Sequence, residues 1–167
     1  MATYSSDLIT NKKQIPAVNA VQARQVYCVP FQVTLSSALA LNDLIKLAEL
    51  PNDCVPVDFV AFLSDLDTNG TPALVWDAGI LNSDGDDLVS NSKIVSGSTV
   101  GQAAGVQRMN ASDCVFNYAT WIADSECDGR YKNNIVAMKV TTAPATGAAS
   151  GTIKGLLFYR SLETWEV

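Results

Sequence analysis

The stretch that decides the fold class is Val29-Pro30-Phe31-Gln32-Val33-Thr34-Leu35, in which apolar and polar side chains alternate. Successive side chains of a β-strand point to opposite faces, so alternation with a period of two indicates a strand with one buried face. The odd-numbered residues of this stretch are the predicted buried set. Pro30 has no N–H to give to a ladder and indicates the start of a strand, a bulge or an edge.

The same alternation returns along most of the chain and predicts further strands at residues 55–63, 73–81, 114–122, 135–141 and 152–160. Leu156 and Phe158 are expected to line one side of the last strand. Residues 43–50 fit either a short helix capped by Asn42 or a strand that ends at Pro51, and the β surroundings favour the strand. Turn residues separate these runs, at 67–70, 84–86, 128–129 and 144–147. The predicted fold class is all-β, an antiparallel β-sandwich of jelly-roll type.

The domain organisation follows from where this pattern begins and ends. The 167 residues fit one domain, and the alternation begins after Ala23. We therefore predict an extended N-terminal arm at 1–23, a sandwich domain at 24–162 and a C-terminal tail at 163–167. A frayed terminus is the alternative for the arm. The arm carries apolar residues that a solubility tail would not need, and these are the candidate binding residues: Tyr4, Leu8, Ile9, Ile15, Val18 and Val21.

The composition excludes several classes of function. The sequence contains no histidine, which removes Ser-His and Cys-His nucleophile pairs, imidazole metal sites and histidine pH switches. The net charge is −6, whereas a nucleic-acid binder needs Lys and Arg for phosphate contacts. The longest apolar run, 59–63, is too short to span a bilayer, and the first residues show no secretion signal. We expect no nucleic-acid partner, no membrane association and no enzymatic activity.

The acidic residues are concentrated in one stretch. Residues 47–92 contain nine Asp and Glu and no Lys or Arg, which leaves 8 acids and 11 bases, a balance of +3, in the rest of the chain. Asp65, Asp67 and Asn69 match the opening of a calcium loop, but its twelfth position is Trp76 instead of Glu. A turn held by side-chain-to-backbone hydrogen bonds explains the same residues, and we favour it while leaving calcium open. No cofactor or metal is predicted.

Cysteine and tryptophan residues raise separate questions. Cys28, Cys54, Cys114 and Cys127 have no C-x-x-C spacing, so we favour buried free thiols over disulfides or zinc. The alternating runs contain Trp76 and Trp121, for which core positions are expected. Trp165 follows the last strand and must find a partner surface. It either packs on its own domain or contacts another subunit, and it is the candidate subunit-interface residue.

Several segments together carry a resemblance to a known group of proteins: DLIKLAELP at 43–51, VPVD at 55–58, SDLDTNGTP at 64–72, DAGILN at 77–82, IVAMKVT at 135–141, GTI at 151–153 and LFYR at 157–160. These segments, which lie between residues 42 and 160, resemble the sequences of the cement or decoration proteins of tailed, often short-tailed, bacteriophages. The resemblance implies a jelly-roll protein on the outer surface of the virion capsid that bridges major capsid proteins after assembly in the host cytoplasm. The implied partners are the major capsid protein and a second copy of the chain, as a homodimer or next a trimer. The alternative is another virion component of the same fold, such as a head-fibre, tail or glycan-binding protein.

Overall fold

The structure is a computed structural model that describes residues 3–5, 25–51, 54–122 and 133–161. Within these ranges the chain forms nine strands and two one-turn helices. The strands are β1 (Thr3–Ser5), β2 (Tyr27–Leu35), β3 (Leu44–Leu50), β4 (Cys54–Leu63), β5 (Val75–Ile80), β6 (Val95–Ser98), β7 (Gly105–Arg108), β8 (Asn134–Thr142) and β9 (Gly151–Ser161). The helices are α1 (Asp113–Phe116) and α2 (Tyr118–Trp121).

The strands form two sheets that share one core, so the predicted all-β sandwich is confirmed. The five-stranded sheet has the order β1-β3-β8-β5-β6 and the four-stranded sheet the order β2-β9-β4-β7. β1 is parallel to its neighbour β3, and the other described pairs are antiparallel. The antiparallel partners are nested along the chain, with β5 beside β6, β4 beside β7, β3 beside β8 and β2 beside β9.

Strand β2 has the burial that its sequence predicts. Val29, Phe31, Val33 and Leu35 are buried in the core, and the residues between them are exposed. Pro30 has no N–H to donate, and β2 tolerates it because this edge strand has no partner strand on its open side.

The other strand proline, Pro56 in β4, lies where the pairing with β9 shifts register, between Pro56 and Asp58. Residues 44–50 form a strand, as favoured over a helix.

The prediction of a strand at residues 114–122 is wrong, since the segment forms α1 and α2. The core-facing residues are Cys114, Tyr118, Trp121 and Ile122. Their spacing of four, seven and eight residues is helical. Phe116, which alternation would place beside Cys114 on the buried face, is instead 80% exposed.

Residues 99–104, which lie between glycines and could hold a single turn of helix, form a turn instead. It is closed by a hydrogen bond of 3.1 Å from the Gln102 N–H to the Thr99 carbonyl. Its Val100 carbonyl accepts the indole N–H of the fully buried Trp76 at 2.6 Å. Trp76 and Trp121 are both core residues, as expected.

Candidate interaction surface

The outer face of the five-stranded sheet is covered by the chain itself. The segment after β5 crosses this face, and Leu81 and Leu88 pack there with Leu44 and Ala137. Over β5 the Ser92 hydroxyl accepts the Ile80 N–H at 3.0 Å and donates to the Val89 carbonyl at 2.8 Å. This segment therefore covers part of the outer face of the five-stranded sheet.

The approach of this segment to β5 requires a glycine. A Cβ at Gly79 would lie 2.9 Å from the Ser92 carbonyl oxygen, closer than side chains tolerate. Alternation predicted only the even-numbered residues of β5 as buried, yet Asp77 and Gly79 are buried as well. The covering segment is the reason, and it has no signature in the alternation of β5.

The outer face of the four-stranded sheet carries an apolar patch that none of the described residues covers. Phe62 on β4 and Val106 on β7 are directly opposite each other and are 49% and 53% exposed. Val60 and Leu156, opposite each other on β4 and β9, adjoin them and are half-buried. We call Phe62, Val106, Val60 and Leu156 the outer apolar patch. Contiguous exposed apolar surface of this kind marks interaction sites.

Basic residues lie beside the outer apolar patch. Lys154 is opposite Phe62 on the neighbouring strand and is exposed. Arg108 is opposite Val60 and forms an ion pair with Asp58. The patch is thus a small apolar surface with the positive charge of Lys154 at one side and the Arg108–Asp58 ion pair at another.

Strand β9 contributes Leu156 to this surface. Leu156 and Phe158 line one side of β9, as predicted, but that side is the outer one. The core side consists of Ile153, Leu157 and Tyr159. Both faces of β9 are apolar, and only packing against the other sheet decides which is buried.

The N-terminal arm contacts the sandwich at its first described residues. Thr3, Tyr4 and Ser5 form β1, paired with residues 44–46 of β3. Of the predicted binding residues, Tyr4 lies in β1, whereas the five others lie outside the described residues: Leu8, Ile9, Ile15, Val18 and Val21. Trp165 also lies outside them. Residues 3–5 therefore add a strand to the edge of the five-stranded sheet, and strand addition of this kind is a common mode of peptide binding.

A polar cleft of about 500 Å³ lies between the five-stranded sheet and its covering segment. Lys93 pairs with Asp77 at 2.7 Å and Lys139 pairs with Asp87 at 2.6 Å, so these charges neutralise each other. Burial acts to raise the pKa of Asp87, but Lys139 and the Leu88 N–H outweigh it and lower that pKa. Among the described residues, no group of three or more Asp, Glu or Cys is placed to hold a metal ion.

The calcium-like motif is a clamp between two loops. Asp65, Asp67 and Asn69 each accept the N–H two residues ahead, at 3.1, 3.4 and 2.8 Å. The Asp67 carboxylate, which is buried, also accepts four further backbone N–H groups at 2.7–3.1 Å, from Ala73, Leu74, Ala145 and Thr146. The turn interpretation accounts for these residues, because backbone donors occupy the oxygens of Asp67.

The cysteines differ in their surroundings. Cys54 and Cys114 are buried thiols outside any disulfide, as favoured, and burial together with Asp113 raises the pKa of Cys114. Cys28 is a free thiol but is exposed, so the expectation of burial is wrong there. It lies opposite Phe158, on the outer face of the four-stranded sheet. Cys127 lies outside the described residues.

The fold and its surfaces define the class of protein as a β-sandwich, with one outer face covered in part by its own chain and a small apolar patch on the other. No family model matches the chain, and no curated protein sequence matches it. A chain from the structure "Capsid of Ralstonia phage GP4" is 32% identical, with a TM-score of 0.76, over 98% of this chain and 100% of that chain. The present chain belongs to the family of that phage capsid chain.

A more distant solved structure has the same fold. A chain of "Cyanophage Pam1 capsid asymmetric unit" is 21% identical with a TM-score of 0.60, over 89% of this chain and 100% of that chain. The protein is thus a virion structural protein related to phage capsid proteins. No helix in the described part of the chain is long and apolar enough to cross a membrane.

The sequence did not reveal the outer apolar patch. Alternation along residues 55–63 places Phe62 on the side opposite Phe59, Ala61 and Leu63, and Val106 lies between the predicted strands. The detectable signal was that Val60 and Phe62 are apolar at positions where alternation calls for polar residues.

Proposed function

We propose that this protein is a non-enzymatic cement protein that binds the outer surface of the phage capsid and bridges neighbouring major capsid proteins. The observation that carries the proposal is the end-to-end similarity to a chain that forms part of the Ralstonia phage GP4 capsid. A cement protein stabilises a shell by mass action, because it binds the assembled form and not the free subunits. Such a role requires adhesive surfaces and no catalytic group.

The strand order supports the jelly-roll form of the sandwich. Nested antiparallel partners make one long ribbon, which here folds so that the chain changes sheet at every connection from β2 onward except β5 to β6. A wrapping of eight strands into two four-stranded sheets is what the jelly-roll proposal requires, and the strand order supports it. β1 is an addition to it, at the edge formed by β3. A rigid body of this kind suits a protein that must hold its shape between two capsid subunits.

The arm is the proposed capsid-binding element, and the domain boundaries 1–23, 24–162 and 163–167 are retained as part of the proposal. An extended segment that becomes ordered on a partner covers a large surface for its size, at an entropic cost on binding. The apolar residues Leu8, Ile9, Ile15 and Val18 supply contacts, and Lys12 and Lys13 supply charge. Self-association as a homodimer, with a trimer second, places two or more arms on one lattice position.

The test is co-sedimentation of the purified protein with shells assembled from the major capsid protein. A variant with Leu8, Ile9, Ile15 and Val18 each changed to Ser is expected to lose most of its binding. The matched control is Leu41→Ser, which changes an apolar residue that is 53% exposed on the sandwich. Its binding is expected to equal that of the unmodified protein, and circular dichroism checks that both variants fold.

Two outcomes contradict parts of this proposal. Undiminished binding by the arm variant would overturn the role of the arm. Absence of binding by the unmodified protein at micromolar concentration would overturn the cement function itself. A glycan-binding or fibre role would then be tested by glycan screening.

A further inference from the structure

We propose that the outer apolar patch receives the C-terminal segment, residues 162–167, of a second copy of this chain, with Trp165 packed on Phe62 and Val106. The inference deepens the proposed function, on which its role in the virion rests, by naming the surface and segment through which copies associate. Phe62 and Val106 are about half exposed on a flat sheet face, and an aromatic side chain is the commonest anchor for such a surface.

The chemistry of the segment complements the chemistry of the patch. Its sequence, LETWEV, contains two acidic residues beside apolar ones. In an extended segment Glu163, Trp165 and Val167 point to one side, since side chains alternate. Lys154 adjoins Phe62 and is exposed, so the patch offers a basic partner at its rim, whereas Arg108 beside Val60 is paired with Asp58. Opposite charges around an apolar centre fix the register of such a contact.

Trp165 cannot contact Phe62 of its own copy, because the chain between Ser161 and Trp165 is too short. Lys154, which is level with Phe62, lies seven residues before Ser161 on β9. That separation is about 23 Å along a strand. Trp165 follows Ser161 by four residues, which span at most about 14 Å, and a reversal of direction uses at least two of them. Trp165 of the same copy is therefore too close along the chain to Ser161 to reach Phe62, and a second copy must supply the tryptophan there.

Disulfide trapping between two differently labelled copies tests this contact. One copy carries Val106→Cys and the other carries Val167→Cys, which keeps Trp165 in place, and both carry Cys28→Ser and Cys127→Ser to remove competing thiols. Mild oxidation of the mixture is expected to give the mixed dimer as the main product. In the control mixture Leu41→Cys, which has the same exposed fraction of 53%, replaces Val106→Cys and is expected to give only background.

Two results would overturn the inference. One is a mixed dimer no more abundant than in the Leu41→Cys control. The other is a bond formed within single molecules when both cysteines are placed in one copy at high dilution, because the segment would then dock on its own domain.

Analytical sedimentation measures self-association independently, with no cysteine introduced into the chain. Trp165→Ala and Phe62→Ser are each expected to weaken self-association at least tenfold, whereas Phe116→Ser, at an exposed position on α1, is expected to leave it unchanged. Unchanged self-association in the first two variants would contradict the proposal. Failure of the cement function would appear separately, as absence of shell binding by the unmodified protein.

Discussion

The carboxylate of Asp67 accepts the backbone N–H of Thr146 at 2.9 Å, although the two residues are 79 positions apart in the chain. The same carboxylate accepts the N–H groups of Ala73 and Ala145. One side chain thus joins the loop after β4 to the loop between β8 and β9. Because the loops belong to connections between the two sheets, this carboxylate ties one end of the sandwich together.

Asp67→Asn is expected to destabilise the fold, because an amide offers one acceptor oxygen and turns an NH₂ group towards backbone donors. The expected result is a fall of several degrees in Tm, measured by differential scanning calorimetry. Asp65→Asn is the control, since Asp65 is exposed and accepts one local N–H. Equal Tm values for the two variants would contradict the clamp.

The free energy of unfolding is also expected to depend on pH through the titration of Asp67. Burial acts to raise the pKa of Asp67, but the four N–H donors outweigh it and hold that pKa well below its usual range. A lowered pKa in the folded state stabilises the fold above the unfolded-state pKa of about 3.9, and this contribution is lost as the pH falls below that value. Unfolding measured from pH 6 to pH 2 should therefore show a shallower acid dependence for Asp67→Asn. The same slope in both proteins would contradict this assignment.

Gly155→Ala is expected to destabilise the protein by about 1–3 kcal/mol, the usual range for overpacking. A Cβ at Gly155 would overlap the Val60 carbonyl oxygen and the ring of Phe31, which is stacked on Phe59 at 5.6 Å. Urea denaturation measures the difference. The control is Gly70→Ala, where a Cβ would meet no atom within 4 Å. Equal stability of the two variants would contradict the packing at Gly155.

The helical assignment of residues 113–121 is tested by a pair of aromatic substitutions. Trp121 is fully buried and donates its indole N–H to the Cys114 carbonyl at 3.0 Å. Trp121→Ala is expected to cost about 3–5 kcal/mol in the free energy of unfolding. Phe116→Ala is expected to change it by no more than about 0.5 kcal/mol, because that ring is exposed. A large loss at Phe116 would indicate the buried strand that alternation suggested.

The ion pair on the outer face of the five-stranded sheet controls the titration of Asp87. Lys139→Ala is expected to raise the pKa of Asp87 towards its ordinary value, because the hydrogen bond and the positive charge of Lys139 both lower that pKa. Carboxyl chemical shifts followed by NMR over a pH series measure this change. The effect on stability is expected to stay below about 1 kcal/mol, since Asp87 is half exposed. An unchanged Asp87 pKa would contradict the pairing.

Sequence reasoning recovered the fold class where a strand has one buried and one polar face. Strand β2 is such a case. In β4, the pairing with β9 shifts register beside Pro56, a residue that has no N–H to donate. The sequence failed where tertiary contacts override that pattern. Asp77 and Gly79 are buried by a segment that returns over β5, and β1 gains its strand structure from β3, forty residues away.

The interaction surface was predictable only in part. The arm and Trp165 are visible as apolar residues in segments outside the alternating pattern. The outer apolar patch requires the pairing of β4 with β7, because Val106 lies in a short strand with no distinctive sequence. Register between distant strands is set by the whole core, so a local pattern does not contain it.

The central claim is that this protein cements the assembled shell, and counting bound copies tests it most directly. Expanded and unexpanded shells are each incubated with increasing amounts of the protein, sedimented, and analysed for the ratio of this chain to the capsid subunit. The account predicts saturation at one fixed ratio on expanded shells and little binding to unexpanded ones. Binding that never saturates, or that is equal on both shells, would contradict it.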